Sequence, residues 1–90
     1  MNKECSGEKE LIGNVTISDC AMMCKDKASL FAFGNIALYF SDDRRQCKCQ
    51  KAATKSGKCE RIENEKYNLY SYGKTFFYSK CVNSRNLHLV

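Results

Sequence analysis

Four thiols carry most of the chemistry open to this chain. Cys20 and Cys24 stand four residues apart, and Cys47 and Cys49 stand two apart. Thiols so grouped can close disulfides, hold a soft metal, or act as nucleophiles. Nucleophilic catalysis needs a neighbouring base, and nothing in the sequence brings the single histidine, His88, near a thiol. Zinc would accept four thiolates, but structural zinc pairs usually sit on tight knuckles rather than on a helix facing a strand. No metal ligand set and no cofactor are therefore expected. Nor is there a nucleophile elbow, a Gly-rich phosphate loop or a paired acid and base with a supporting histidine. The chain is not expected to be an enzyme.

The elements that must position these sulfurs follow from the spacing. Ser18 is the expected N-cap and Asp19 the first-turn acid of a helix over about 19–28, CAMMCKDKA being its body. Residues four apart on a helix share a face and are separated by ~6 Å along the axis. Gln46-Cys47-Lys48-Cys49-Gln50 reads as a strand, on which residues two apart share a face at ~6.6 Å. The two pitches match, so two bridges can rivet the helix to the strand. Neither pair closes easily on itself, because its Cβ directions run roughly parallel.

Seven cysteines in 90 residues approach the level that marks a disulfide scaffold, and a domain this small needs covalent help. Geometry favours Cys20 and Cys24 with Cys47 and Cys49 in an order left open, and Cys5 with Cys59. Cys81 is then odd, either a free thiol or the link of a homodimer. The alternative for the outer pair is Cys5 with Cys81. Disulfides require an oxidising compartment, so the domain is expected to be secreted or extracellular. The opening MNKECSGEKE has no apolar core of a signal peptide, so a removed leader is assumed and Met1 is taken as a trimmed or added boundary. No apolar run reaches the ~20 residues of a membrane helix, so direct insertion is not expected.

Along the chain, KELIGNVTI at 9–17 alternates Leu11, Gly13, Val15 and Ile17 as a half-buried strand, with a bulge or close approach at Gly13. LFAFGN at 30–35 reads as a strand covered on both faces. IALYF at 36–40 is a short strand or a buried loop, and SDDRR at 41–45 a polar turn. Its Asp42 and Asp43 make too weak a pair for calcium. QCKCQKAA, the turn TKSG and KCERIE together read as a hairpin. KYNLYSYG at 66–73 is the last firm strand, and Phe76–Tyr78 form an edge strand or a packed loop. The fold class expected is α+β: a single helix on a four- to five-stranded antiparallel sheet, disulfide-stapled, in one domain over 1–90.

The succession ECSG, SDCAMMC, LFAFG, CKCQ, GKC and YNLYSY resembles the PAN/apple domain family, in the variant with a CxC, a further Cys and a YxLYxY strand. Cys5, Cys20, Cys24, Phe31, Phe33, Cys47, Cys49, Cys59, Tyr67, Leu69, Tyr70 and Tyr72 carry the match over about 4–74, leaving 75–90 as a C-terminal extension. The resemblance implies a helix cradled on a curved antiparallel sheet, in a secreted or cell-surface module for adhesion or recognition of carbohydrate or protein. Many apple domains have a cysteine just before the strand where this chain has Ser29-Leu30, so the usual connectivity does not transfer unchanged.

Two surfaces are candidates for ligand contact. From Arg44 to Arg61 seven basic residues (Arg44, Arg45, Lys48, Lys51, Lys55, Lys58, Arg61) meet one acid, Glu60, a local excess of +6 against +5 for the whole chain. With Cys47 and Cys49 facing the helix, Lys48 points to the other side with Gln46 and Gln50, giving a basic face suited to anionic glycans or an acidic protein surface. A solvated hairpin whose lysines guard an edge has the same signature. Aromatics are not interleaved with these cations, so nucleic acid is not an expected partner. The second surface is the tyrosine set Tyr67, Tyr70, Tyr72 and Tyr78 with Tyr39, rings that suit sugar faces when exposed and otherwise form half of a core. Only one face can be buried, so either Tyr67 or the Tyr70/Tyr72 pair should stay accessible. Asn14-Val15-Thr16 is a glycosylation sequon at Asn14. The expected partner is an extracellular glycan or protein. A small disulfide-rich effector acting on a protease or channel, or a Cys81-linked dimeric signalling or structural protein, are the other classes this sequence fits.

Overall fold

The computed structural model describes residues 2–35, 43–52, 58–72 and 87–90. Among these residues seven strands and one helix follow in the order β1 (Lys3–Cys5), β2 (Glu10–Val15), α1 (Ile17–Cys24), β3 (Leu30–Gly34), β4 (Arg45–Cys49), β5 (Arg61–Glu63), β6 (Tyr67–Tyr72) and β7 (Leu87–Leu89). Five strands form an antiparallel sheet in the order β2-β4-β3-β6-β7, while β1 and β5 pair as a separate antiparallel ribbon. The fold is α+β and disulfide-rich, one helix on an antiparallel sheet.

The period-2 alternation of each strand divides the interior into two layers. Phe31 and Phe33 of β3 and Cys47 and Cys49 of β4 project toward the helix and pack with Cys20, Ala21, Cys24 and Leu87. Leu30 of β3 and Leu69 of β6 project the other way and meet Cys5 of the ribbon. Strand β3, pressed between the two layers, is buried along its whole length, as its unbroken apolar run requires. Tyr70 lies nearly parallel to Phe31, with ring centroids 5.4 Å apart, and Tyr72 leans on the same ring at 5.6 Å.

Three disulfides tie these layers together. Cys20 joins Cys47 and Cys24 joins Cys49, with Cα separations of 5.6 and 5.2 Å, and Cys5 joins Cys59 at 5.6 Å. The order left open by the sequence is thus the one in which α1 runs parallel to β4, each turn of helix standing over two residues of strand. Closing loops of 27, 25 and 54 residues, the bridges contribute about 3–4 kcal/mol each on chain-entropy grounds.

Several local expectations are corrected. The N-cap is Thr16, two residues before Ser18: its backbone is extended (φ −72°, ψ 162°) and its Oγ1 accepts the Asp19 N–H at 3.3 Å. Strand β2 therefore stops at Val15, and Ile17 and Ser18 belong to the first helical turn. The helix ends at Cys24, with turns carrying the chain on through Lys27 and Ala28, both of whose N–H groups donate to the Cys24 carbonyl. The expected hairpin of Cys47–Cys49 with the GKC segment does not form. β4 is held in the sheet interior between β2 and β3 beneath the helix, while Cys59 is drawn to Cys5 and β5 pairs with β1. The final strand of the sheet comes from Leu87–Leu89, a segment in which periodicity is too short to read. Gly13, by contrast, bulges as expected: the register slips between Leu11 and Gly13, whose φ of +120° is one that side chains rarely adopt. Phe76–Tyr78, Tyr39, Lys55 and Cys81 lie outside the described residues.

Candidate recognition cleft

The register of helix over strand leaves one part of the sheet uncovered. Cys20 stands over Cys47, so the first helical turn stands over Arg45, two residues earlier on β4 and on the same face. Between that turn and the sheet lies a cleft of about 280 Å³, lined by Thr16, Ile17, Ser18, Phe33, Gly34, Asn35, Asp43, Arg45, Asn68 and Tyr70. Phe33 and Tyr70 form an aromatic wall, while Ser18, Asn68 and Arg45 bring polar groups from three separate elements. Asp43 sits exposed at the rim.

Arg45 is half-buried, and its Nε is sealed from solvent without a hydrogen-bond partner among the described residues. A guanidinium so placed lacks the acceptor that a buried cation ordinarily has. At the helix start, the amides of Ile17 and Ser18 have no intrahelical acceptor either, since the cap satisfies only Asp19 and the first backbone bond begins at Cys20. Asn35 is committed elsewhere: its Nδ2 donates to Asn2 Oδ1 at 3.0 Å and to the Glu65 carbonyl at 2.6 Å, fixing the wall behind the cleft. Gly34 lets β3 lie close against β4, for a Cβ there would lie 3.3 Å from the Arg45 Cβ.

The lysines of the same strand region have another fate. Lys48 does point away from the helix, with Gln46 and Gln50, but that side is covered by the ribbon rather than open as a basic face. Its Nζ lies 3.5 Å from Glu4 Oε2 and 4.1 Å from the centroid of the Tyr67 ring. Lys9 holds the other Glu4 oxygen at 2.8 Å. Burial alone would raise the pKa of the Glu4 carboxyl, but the Lys9 hydrogen bond, the charges of Lys48 and Lys9 and the Asn64 side chain hold it below the ordinary 4.5. Gln50, fully buried, accepts the Cys5 N–H at 2.8 Å, and the Tyr67 hydroxyl donates to Gln46 Oε1. Lys51 approaches Glu10 at 3.8 Å and Glu8 at 4.0 Å, while Arg44 and Lys58 are exposed.

Of the described tyrosines, Tyr67 is the buried one and Tyr70 and Tyr72 are half-buried on the helix side. Tyr72 donates its hydroxyl to the Ala21 carbonyl at 2.7 Å, and burial, with the Asp26 charge second, pushes its phenol above the ordinary 10. It holds the helix down, whereas Tyr70 turns into the cleft. Asn14 is exposed on edge strand β2, and the sequon threonine is the helix N-cap itself. The sulfurs of Cys20, Cys24 and Cys47 lie within 4.8 Å of one another, a spacing that would suit a metal, but each is spent in a disulfide.

The structure thus brings Arg45 and Tyr70 together and separates them from Lys48, Lys51, Lys58 and Tyr72. Asp43 comes from the 39–45 loop expected to take part in binding, whereas Thr16, Ser18 and Asn68 join the cleft without having been singled out as ligand contacts. Their only sequence signal is cap chemistry at 16–19, since convergence from four segments leaves no motif. No helix among the described residues is long and apolar enough to cross a membrane. Searches against family models, curated proteins and solved structures find no match for this chain, so its chemistry is read from the cleft alone.

Proposed function

We propose that this chain is an extracellular recognition module of PAN/apple-like type, binding a carbohydrate or an extracellular protein through the cleft between the first turn of α1 and the sheet, and that it performs no catalysis. The observation that carries this reading is the cleft itself: a half-buried arginine without a described partner beside an aromatic wall and several unspent polar groups. Such a mix of one charge, rings and convergent hydrogen-bonding groups is what orients a small ligand part. Three disulfides in so small a domain are typical of proteins from oxidising compartments. Lys48 and Lys51, being engaged by Glu4, Glu8 and Glu10, serve the fold more than a long polyanion.

A glycan array probed with the oxidised protein, alongside capture of extracellular proteins, tests this. Binding that is lost in Arg45→Gln and Tyr70→Ala but kept in Lys51→Gln supports the cleft. Binding that follows Lys51 and Lys58 and ignores Arg45 would move the site to the basic surface.

A further inference from the structure

The geometry points to a narrower ligand: we infer that the cleft takes the carboxylate-bearing sugar at the end of a glycan chain, a uronic or sialic acid, with Arg45 holding the carboxylate. This rests on the recognition reading above and specifies its ligand class.

The argument begins with size. A volume of about 280 Å³ lies just under the roughly 300–1,000 Å³ of ligand pockets, so the cleft itself holds about one sugar residue. Charge narrows the choice further. Arg45 supplies a planar cation suited to a carboxylate, and among the described residues that line the cleft it is the one cation. Asp43 stands at the rim, where it opposes a multiply charged sulfate or phosphate cluster but accepts hydrogen bonds from hydroxyl groups. The remaining polar groups are of the kind a sugar satisfies. Asn68 accepts the Asn2 N–H at 3.0 Å through Oδ1, leaving its amide NH₂ available. The Ser18 and Tyr70 hydroxyls have no protein partner among the described residues, and Ile17 and Ser18, whose amides have no intrahelical acceptor, also line the cleft. Phe33 and Tyr70 add apolar ring surface to the lining, which the C–H side of a pyranose can meet. A peptide C-terminus also brings a carboxylate, but its backbone presents fewer donors and acceptors than a ring of hydroxyls to a site with this many separate polar groups.

Heteronuclear NMR titration of the oxidised protein tests the inference. The probes are methyl glucuronoside and N-acetylneuraminic acid, with methyl glucoside, sodium sulfate and a tripeptide bearing a free C-terminal carboxylate as comparators. Saturable shifts are expected at Thr16–Asp19, Arg45 and Asn68 with the two acidic sugars. Methyl glucoside should bind roughly ten- to a hundredfold more weakly, the worth of a charge-assisted hydrogen bond. Arg45→Gln should erase the preference for acid over neutral sugar, and Arg45→Lys should keep part of it, while the shifts of Cys5, Leu69 and Tyr67 report that the fold is intact. Equal binding of glucoside and glucuronoside at the cleft would overturn the carboxylate inference and leave the recognition reading standing. Stronger binding of the tripeptide would also overturn it, in favour of a protein ligand. Absence of cleft shifts with every probe would sink the inference, and the array and capture results then decide the broader reading separately.

Discussion

Arg45 and Lys48 are cations three residues apart on one strand, and the structure treats them oppositely. Lys48, on the face covered by the ribbon, is matched by Glu4 and lies over the Tyr67 ring. Arg45, on the face covered by the helix, sits where that cover gives out, with its Nε sealed off and unpartnered among the described residues. Strand alternation sends them to different sides, and the length and register of the helix then decide that one side has an opening. A basic run in a sequence is therefore not a basic surface. The cation whose Nε has no acceptor among the described residues is the one on which the proposed site is built, because a buried polar atom ordinarily has a partner.

The comparison breaks most severely if the helix is unfastened. Replacing Cys20 and Cys47 together by Ser should lower unfolding free energy by about 3–4 kcal/mol in denaturant titrations and open the cleft. Replacing Cys24 and Cys49 should cost a similar amount but leave more of the cleft, since Cys20–Cys47 is the bridge nearer Arg45. Equal loss of cleft NMR shifts in both variants would show that the first turn is not held locally by its bridge.

On the other side, Glu4→Gln should cost about 1–3 kcal/mol, because two lysines lose a charge-assisted partner that is nearly buried. Since the folded carboxyl titrates below its unfolded value, its contribution is present above pH ~4.5 and is lost as pH falls through the lowered folded value. The wild-type protein should accordingly lose stability on acidification below that point more steeply than Glu4→Gln. Parallel pH profiles of the two proteins would deny Glu4 this role.

The smallest effect on stability is expected at Arg45 itself. Arg45→Met removes no described ion pair and relieves an unpartnered Nε, so thermal unfolding should move by no more than ~0.5 kcal/mol. Lys48→Met should fall measurably further. Similar losses at both positions would erase the distinction between a cation that serves the fold and one left for the proposed ligand.

Much of the architecture was legible because cysteine spacing encodes pitch. A CxxxC helix and a CxC strand repeat at nearly the same distance, so their pairing, the α+β class and the buried Phe31/Phe33 strand all follow from local period. Local rules failed where two segments competed for one partner. Ser18 and Thr16 are both sound caps, and only the exit of β2 at Val15 selects Thr16. Lys58–Glu63 had the look of a returning hairpin arm, but the Cys5–Cys59 bridge takes it to β1. Of the cleft, Arg45 and Tyr70 stood out as types, yet nothing local distinguished them from Lys48 and Tyr72.

By itself, then, the sequence determined the riveted helix and sheet and the thiol chemistry that holds them, because those depend on distances of two and four residues along one chain. The tertiary structure alone decided the order of the rivets, the ribbon that covers the lysine face and the gap over Arg45. Those depend on which distant surfaces exclude water from each other, and a charge becomes available or spent only when that is settled.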